Sequence, residues 1–154
     1  MKKGNQRLNW MRPVLRKMNH RMLSNYNSNP QMAKTILLLT TRGRKSGQPR
    51  TTPLQYELID GKYVLAAGWG EKSDWLLNLR ADPQVEIQIG QEHYSGTAEI
   101  VEDPISIAKM LEVKIKSKPF ITWVMRFEGL PLFYSRGDLE KFASGKVMVV
   151  IRMG

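Results

Sequence analysis

The residues best suited to chemistry form a cationic, glycine-containing segment, which we call the basic loop, from Thr41 to Arg50. It reads Thr-Arg-Gly-Arg-Lys-Ser-Gly-Gln-Pro-Arg and combines four cations with two hydroxyl groups and two glycines. Guanidinium groups form paired hydrogen bonds with phosphate or carboxylate, and glycines let backbone N–H groups approach an anion closely. The composition predicts a site that grips a polyanion. An exposed basic turn without a ligand is the alternative that the pattern leaves open.

The charge distribution supports an anionic partner for this part of the chain. Twelve Lys and Arg residues precede Glu57, which is the first carboxylate among the 154 residues. Beyond that point twelve basic residues face fourteen acidic ones, so the net charge of +10 lies in the first third. A nucleic acid, an anionic membrane surface and an anionic small ligand all fit this balance. Nucleic acid is not favoured, because the nearest aromatic residue, Tyr56, lies six positions beyond Arg50 and no recognition motif is present.

Several classes of site are not indicated. The chain contains no cysteine, which excludes disulfides, thiolate catalysis and Cys-ligated metals. Its two histidines, His20 and His93, are far apart in sequence, so neither a metal site nor a Ser-His-Asp triad is predicted. Neither a P-loop nor a Rossmann fingerprint occurs. No apolar run approaches the roughly 20 residues that span a bilayer, and no signal core is found, so a cytoplasmic location is expected.

Residues 1–30 are predicted to form a basic arm and an amphipathic helix that precede the main domain. The helix begins near Met11, with Pro13 in its first turn, and presents Leu15, Met18 and Met22 on one face. This helix either packs on the domain with a solvated basic face or binds the inner face of an anionic membrane.

Residues 31–154 are predicted to form one mainly β domain that positions the basic loop. Six strands are predicted over residues 35–41, 51–58, 63–67, 85–89, 94–101 and 147–151. Helices are predicted over residues 74–80, 104–117 (capped by Asp103), 119–129 and 138–143. Asp60-Gly61 has the composition of a two-residue hairpin turn. Short strands with mostly antiparallel connections favour a closed barrel, with the helices packed against one side.

Residues 38–54 closely resemble the signature of the deazaflavin (coenzyme F420)-dependent nitroreductase family. A second group of segments is similar to that family in order and spacing, at residues 60–61, 66–68, 74–83 and 85–89. The similarity is strong over residues 34–101 and weaker over residues 120–130 and 139–151.

This resemblance implies a six-stranded antiparallel split β-barrel like that of the flavin mononucleotide (FMN) oxidases, dimeric or membrane-associated. It also implies coenzyme F420, a deazaflavin with a phosphodiester and a polyglutamate tail, and no metal. FMN is the alternative cofactor. F420 is polyanionic, so the resemblance agrees with the independent argument from charge.

The resemblance also implies two sets of cofactor contacts. Those for the phosphate and tail are Arg44, Lys45, Ser46 and Arg50. Those for the deazaflavin ring are Pro53, Leu54, Tyr56, Ala66, Ala67, Gly68, Trp69, Trp75 and Asn78.

Two departures from the family pattern concern the acceptor. The loop over residues 68–74 is short and places Trp69 between two glycines, as a lid over the ring or a plug in the barrel rim. The tyrosines that shape the substrate site of nitroimidazole-activating members have no clear counterparts, and Tyr134 is a weak catalytic candidate. Nitroimidazole activation therefore does not carry over.

The function that follows is hydride transfer from reduced F420 to a small electron-poor acceptor, such as a quinone, an enone or a nitro compound. The alternatives are an FMN-binding oxidoreductase of the same fold and a non-enzymatic binding protein for an anionic lipophilic ligand. Partners are expected to be the small-molecule acceptor, an anionic membrane surface contacted by the N-terminal helix, and a second copy of the chain.

Overall fold

The computed structural model describes residues 12–67 and 73–154. The five helices are α1 (Arg12–Tyr26), α2 (Asp74–Ala81), α3 (Pro104–Ser117), α4 (Ile121–Phe127) and α5 (Arg136–Ala143). The six strands are β1 (Ile36–Arg42), β2 (Pro49–Ile59), β3 (Lys62–Ala66), β4 (Gln84–Ile89), β5 (Glu92–Val101) and β6 (Met148–Met153). A short 3-10 turn, Met32–Lys34, precedes β1. No helix among the described residues is both long and apolar enough to span a membrane.

The six strands close into a barrel in the order β1-β2-β3-β6-β5-β4, with every neighbouring pair antiparallel. The pairing of β1 with β4 completes the circle, so the sheet has no free edge to recruit another chain. This confirms the predicted six-stranded antiparallel barrel.

Backbone conformation at the turns explains why the hairpins form where they do. Asp60 and Gly61 have φ angles of 50° and 73°, which is the pattern of the two-residue turn preferred between twisted antiparallel strands. Gly90, with φ of 63°, opens the equally short connection between β4 and β5.

Two apolar clusters hold the fold together, and alternation along the strands separates them. The barrel interior contains Leu65, Val149 and Ile151, and α2 adds Trp75, Leu76 and Leu79. The residues beside them on the strands, Val64, Met148 and Val150, point the other way and pack against α3, α4 and α5. Successive strand residues face opposite sides, so β3 and β6 support both clusters at once.

The helix ends follow from capping side chains. Asp103 caps α3, because its Oδ2 accepts hydrogen bonds from the Ser106 N–H at 3.0 Å and the Ser106 hydroxyl at 2.7 Å. Helix α5 begins at Arg136, two residues earlier than predicted, because Ser135 and Asp138 form a reciprocal capping box.

The C-terminal end of α1 is attached to the barrel by one buried tyrosine. Tyr26 is 2% exposed, and its hydroxyl donates to the Ile36 carbonyl oxygen at 2.8 Å. The Tyr26 hydroxyl oxygen also accepts a hydrogen bond from the Gly90 N–H at 3.2 Å. The described part of the predicted N-terminal helix therefore packs on the barrel at this point. The arm over residues 1–11 lies outside the described residues.

Candidate functional site

A cleft of about 310 Å³, lined by both apolar and polar side chains, opens between β2, the end of β3 and the helices α2 and α3. Its lining consists of Pro53, Leu54, Gln55, Tyr56, Glu57, Ile59, Val64, Ala66, Ser73, Trp75, Met110, Lys114 and Met148. Five of the residues predicted to contact the deazaflavin ring are among them, namely Pro53, Leu54, Tyr56, Ala66 and Trp75. The structure thus brings together side chains from three separate segments of the sequence.

Tyr56 offers this cleft its ring rather than a free hydroxyl. Its hydroxyl donates to the Ala33 carbonyl oxygen at 2.8 Å, and its ring meets Tyr63 edge to face at 5.4 Å between centroids. Burial, and to a smaller extent the neighbouring Tyr63 and Tyr26, raise the pKa of Tyr56 above its usual value of 10.0. Tyr56 therefore stays protonated and is fixed in orientation.

The basic loop connects β1 to β2 and is folded tightly on itself. The Gly43 N–H donates to the Gln48 carbonyl oxygen at 2.8 Å, and the Gly47 N–H donates to the Gly43 carbonyl oxygen at 2.7 Å. A Cβ on Gly43 would lie 2.6 Å from Ser46 Oγ, and Gly47 has φ of +69°. The left-handed backbone therefore favours glycine at position 47, and a side chain at position 43 would have to displace the Ser46 hydroxyl and would come within 3.2 Å of the Gln48 carbonyl oxygen.

The buried side-chain amide of Asn78 on α2 holds the basic loop in place. Asn78 is 4% exposed, and its Oδ1 accepts from the Arg44 backbone N–H at 3.2 Å and from Arg44 Nη1 at 3.0 Å. Its Nδ2 donates to Thr41 Oγ1 at 3.2 Å, and Thr41 is 2% exposed. All the polar atoms of the Asn78 side chain are thus engaged with the loop and its supporting strand. We interpret Asn78 as the residue that supports the basic loop, whereas the family resemblance implied that it contacts the deazaflavin ring.

The cations of the loop differ in how far they are neutralised. Arg44 Nη2 lies 3.2 Å from Asp74 Oδ1, and Arg42 Nε lies 3.8 Å from Asp82 Oδ2. Lys45 and Arg50 are exposed and form no ion pair with any described carboxylate. These two side chains remain available to an anion, and Ser46 is exposed beside them.

Helix α2 and strand β2 join the loop to the cleft. Asp74 and Asn78 of α2 hold the loop, whereas Trp75 of the same helix lines the cleft. On β2, Arg50 precedes Pro53 by three positions, about 10 Å along an extended strand. The site consequently has an apolar part and a cationic part in fixed relation to each other.

The other end of the cleft carries a charge cluster that sequence reasoning missed. Glu57 accepts from Lys118 Nζ at 3.0 Å and lies 3.4 Å from Lys114 Nζ. Lys114 and Met110 of α3 both line the cleft and are four residues apart, which places them on one face of the helix. That spacing is the one signal in the sequence, and by itself it does not say what the helix packs against.

The remaining candidate residues lie elsewhere. Ala67 belongs to the barrel core, and its N–H donates to the Val147 carbonyl oxygen at 3.0 Å. Tyr134 packs against the cluster of α3, α4 and α5 and does not line the cleft. Gly68 and Trp69 lie outside the described residues. Within the described part of the chain, no group of three or more His, Cys, Asp or Glu side chains could hold a metal ion.

Comparisons with solved structures agree with this architecture. A structure described as an F420-H2 dependent reductase (FDR-A) superposes with a TM-score of 0.50 at 23% identity, covering 76% of this chain and 94% of the other. A conserved hypothetical protein from Mycobacterium tuberculosis gives a TM-score of 0.53 at 24% identity, covering 87% of this chain and 79% of the other. At these identities the likeness concerns the fold, and the predicted split β-barrel is confirmed.

Sequence comparison identifies the family. An F420H(2)-dependent quinone reductase of Mycobacterium tuberculosis is 41% identical to this chain over 73 residues. Those residues are 46% of this chain and 49% of the relative, so the chain spans about half the length of the curated relatives it matches. A family model described as F420H(2)-dependent quinone reductase matches residues 11–118, which is well over half of the sequence. The chain therefore belongs to the F420H(2)-dependent quinone reductase family.

Proposed function

We propose that this protein is an oxidoreductase that uses reduced coenzyme F420 to reduce a small electron-poor acceptor, with a quinone as the first candidate. The proposal rests on one observation. Helix α2 and strand β2 connect the apolar side of the cleft to the cationic loop. F420 has the matching construction, a flat ring system followed by a phosphodiester and a polyglutamate tail. Family membership supports the same cofactor and acceptor class.

The basic loop fits the anionic part of this cofactor. Lys45 and Arg50 have no carboxylate partner among the described residues, and the fixed turn keeps both on the surface. Arg44 is held by Asn78 and Asp74, so its guanidinium keeps a defined position. A preorganised set of cations binds a polyanion with a smaller ordering cost than mobile side chains do.

The apolar lining fits the ring. Pro53, Leu54 and Ala66 supply aliphatic surface, and Trp75 supplies an aromatic side chain that is anchored in the barrel core. Bound F420 in its reduced form would supply the hydride, and the protein would supply orientation and a site shielded from water.

Lys114 is our candidate for contact with the acceptor oxygen. Lys114 lines the cleft, its ammonium group can donate a hydrogen bond to a carbonyl or nitro oxygen, and its ion pair with Glu57 limits its mobility. Tyr56 is less suited to this role, because its hydroxyl already donates to the Ala33 carbonyl oxygen. Tyr134 is removed from the cleft lining and is not proposed as the proton donor.

A spectroscopic titration tests this proposal. Purified full-length protein is mixed separately with F420 and with FMN, and binding is followed by absorption and fluorescence. We expect F420 to bind and, once reduced, to be oxidised by a quinone in the presence of the protein. Binding of FMN alone would favour the flavin alternative. Binding of F420 without turnover of quinone, enone or nitro compounds would favour a non-enzymatic binding protein.

Assembly and location are separate proposals. We propose a homodimer, which sedimentation velocity can test; one solved structure of similar fold is described as a domain-swapped dimer.

We also propose a cytoplasmic enzyme whose N-terminal helix contacts the inner face of the membrane, with Arg16, Lys17 and Arg21 exposed on that helix.

A further inference from the structure

A group of large apolar side chains is displayed on the surface of α4 and the segment that follows it. We call this group the aromatic patch. Its members, with the exposed fraction of each, are Phe120 (68%), Trp123 (66%), Val124 (55%), Phe127 (90%), Leu132 (59%) and Phe133 (91%). Single exposed apolar residues are normal on soluble proteins, but six within fourteen consecutive positions are a marker of an interaction site.

Helix α4 is apolar on its inner and outer sides. Its inner side packs Met125, which is buried, and Ile121 against the cluster of α3 and α5. Its outer side presents Trp123, Val124 and Phe127. A helix with apolar side chains on two sides is expected to be covered on both, yet the outer apolar side chains of α4 are more than half exposed.

Two cations near the aromatic patch are not neutralised by described carboxylates. From Lys114 to Arg136 the chain has five basic residues and one acid, Glu128, but Lys114 and Lys118 pair with Glu57, and Arg136 pairs with Glu112 and Glu140. Arg126 lies over the Trp123 ring, with 5.7 Å from its guanidinium carbon to the ring centroid, and has no ion pair with a described carboxylate. Lys116 is exposed and likewise forms no ion pair with the described residues.

We propose that the aromatic patch is a docking surface for an anionic lipid bilayer, with the aromatic side chains inserted between headgroups. Trp and Phe side chains beside Lys and Arg form the composition that suits the bilayer interface. Cations at such a surface are attracted by anionic lipids. The charge complementarity therefore selects an anionic membrane among the surfaces that could cover this patch.

Two other occupants fit less well. A second copy of the chain on a two-fold axis would place the same cations against each other, which is unfavourable. The N-terminal arm carries Lys2, Lys3 and Arg7 and no acid, so it would also bring like charge to the patch. The proposed surface is distinct from the basic helix α1 and does not depend on the proposed redox function.

Vesicle sedimentation with the full chain tests the proposal. The vesicles contain equal parts of phosphatidylglycerol and phosphatidylcholine. The test variant combines Phe127→Ser with Phe133→Ser, because both side chains are about nine-tenths exposed and their loss should leave the core intact. The matched control is Ile105→Ser, an exposed apolar residue in the first turn of α3, outside the patch.

We expect the wild type and the Ile105→Ser variant to bind alike, and the double variant to bind at least tenfold more weakly with an unchanged melting temperature. Binding should also fall when phosphatidylglycerol is left out. The proposal is overturned if the wild type does not sediment with these vesicles, or if the double variant binds as well as the wild type. It is also overturned if the double substitution converts a dimer into a monomer without changing vesicle binding, because the patch would then be a self-association face.

Discussion

The two ends of the cleft both use charged side chains, but they use them differently. At the basic loop, four cations face two carboxylates, and the geometry depends on the buried neutral amide of Asn78. At the α3 end, Lys114 and Lys118 share the single carboxylate of Glu57, and all three side chains are partly exposed. The loop end therefore carries unpaired cations on a turn whose backbone is fixed, whereas the α3 end has its cations engaged. This difference predicts where a polyanionic tail binds and where a small acceptor binds.

The largest effect is expected from removing the support of the loop. Asn78→Ala leaves the Arg44 guanidinium and Thr41 hydroxyl without their buried partner, so the free energy of unfolding should fall by about 2–4 kcal/mol. F420 affinity should fall as well, because the loop loses its fixed shape. Urea unfolding and a fluorescence titration measure the two effects. A stable variant with normal F420 affinity would show that the amide does not position the loop.

An intermediate effect is expected from the exposed loop cations. Lys45→Ala should weaken F420 binding by about 1–2 kcal/mol and leave the stability unchanged, because Lys45 makes no ion pair with the described residues. Lys17→Ala on α1 is the matched control, since it removes an exposed cation far from the loop in sequence. Equal losses in both variants would indicate a general charge effect rather than a site.

A smaller effect on cofactor binding is expected at the α3 end. Glu57→Gln keeps the shape of the side chain but removes the charge that holds Lys114 and Lys118. Because these ion pairs are partly exposed, stability should change by no more than about 1 kcal/mol. F420 affinity should stay near that of the wild type while the KM for a quinone changes. A lower F420 affinity with an unchanged KM for the quinone would be the opposite result. It would exchange the roles that we assign to the two ends of the cleft.

The smallest effect concerns the helix caps beyond the cleft. Hydrogen bonds from the Ser135 backbone N–H and hydroxyl lower the pKa of Asp138 below its usual value of 3.8. A lowered pKa in the folded state means that this carboxylate stabilises the fold above pH 3.8, and that the contribution is lost as the pH falls through the lowered value. Asp138→Asn should therefore melt earlier than the wild type at neutral pH, and the difference should shrink in acid. A difference independent of pH would assign the stabilisation to something other than the charge.

Most of the fold could be predicted because its elements carry local signals. The Asp60-Gly61 turn, the Asp103 cap and the alternating strands are properties of short segments. The start of α5 was missed because the Ser135 and Asp138 capping box was not recognised. The closure of the barrel through β1 and β4 follows from pairing between distant segments, which no local pattern specifies.

The candidate site was only partly predictable for a similar reason. The family resemblance implied ring contacts for Pro53, Leu54 and Trp75, and the structure gathers these residues in one cleft. The contribution of α3, through Met110 and Lys114, could not be predicted, because it depends on how that helix packs against β2. The burial of Asn78 depends equally on tertiary packing, since nothing in the sequence of α2 says what covers it.

The most direct test of the central claim compares F420 with the same deazaflavin lacking the phosphodiester and glutamate tail. We predict that the wild type binds the complete cofactor at least tenfold more tightly at fixed salt, and that Lys45→Ala combined with Arg50→Ala removes most of this difference. Affinity for the tailless ring should remain unchanged in that variant, because Pro53, Leu54 and Trp75 are untouched. Equal affinity of the wild type for both compounds, or an undiminished difference in the double variant, would contradict the assignment of the basic loop to the anionic tail.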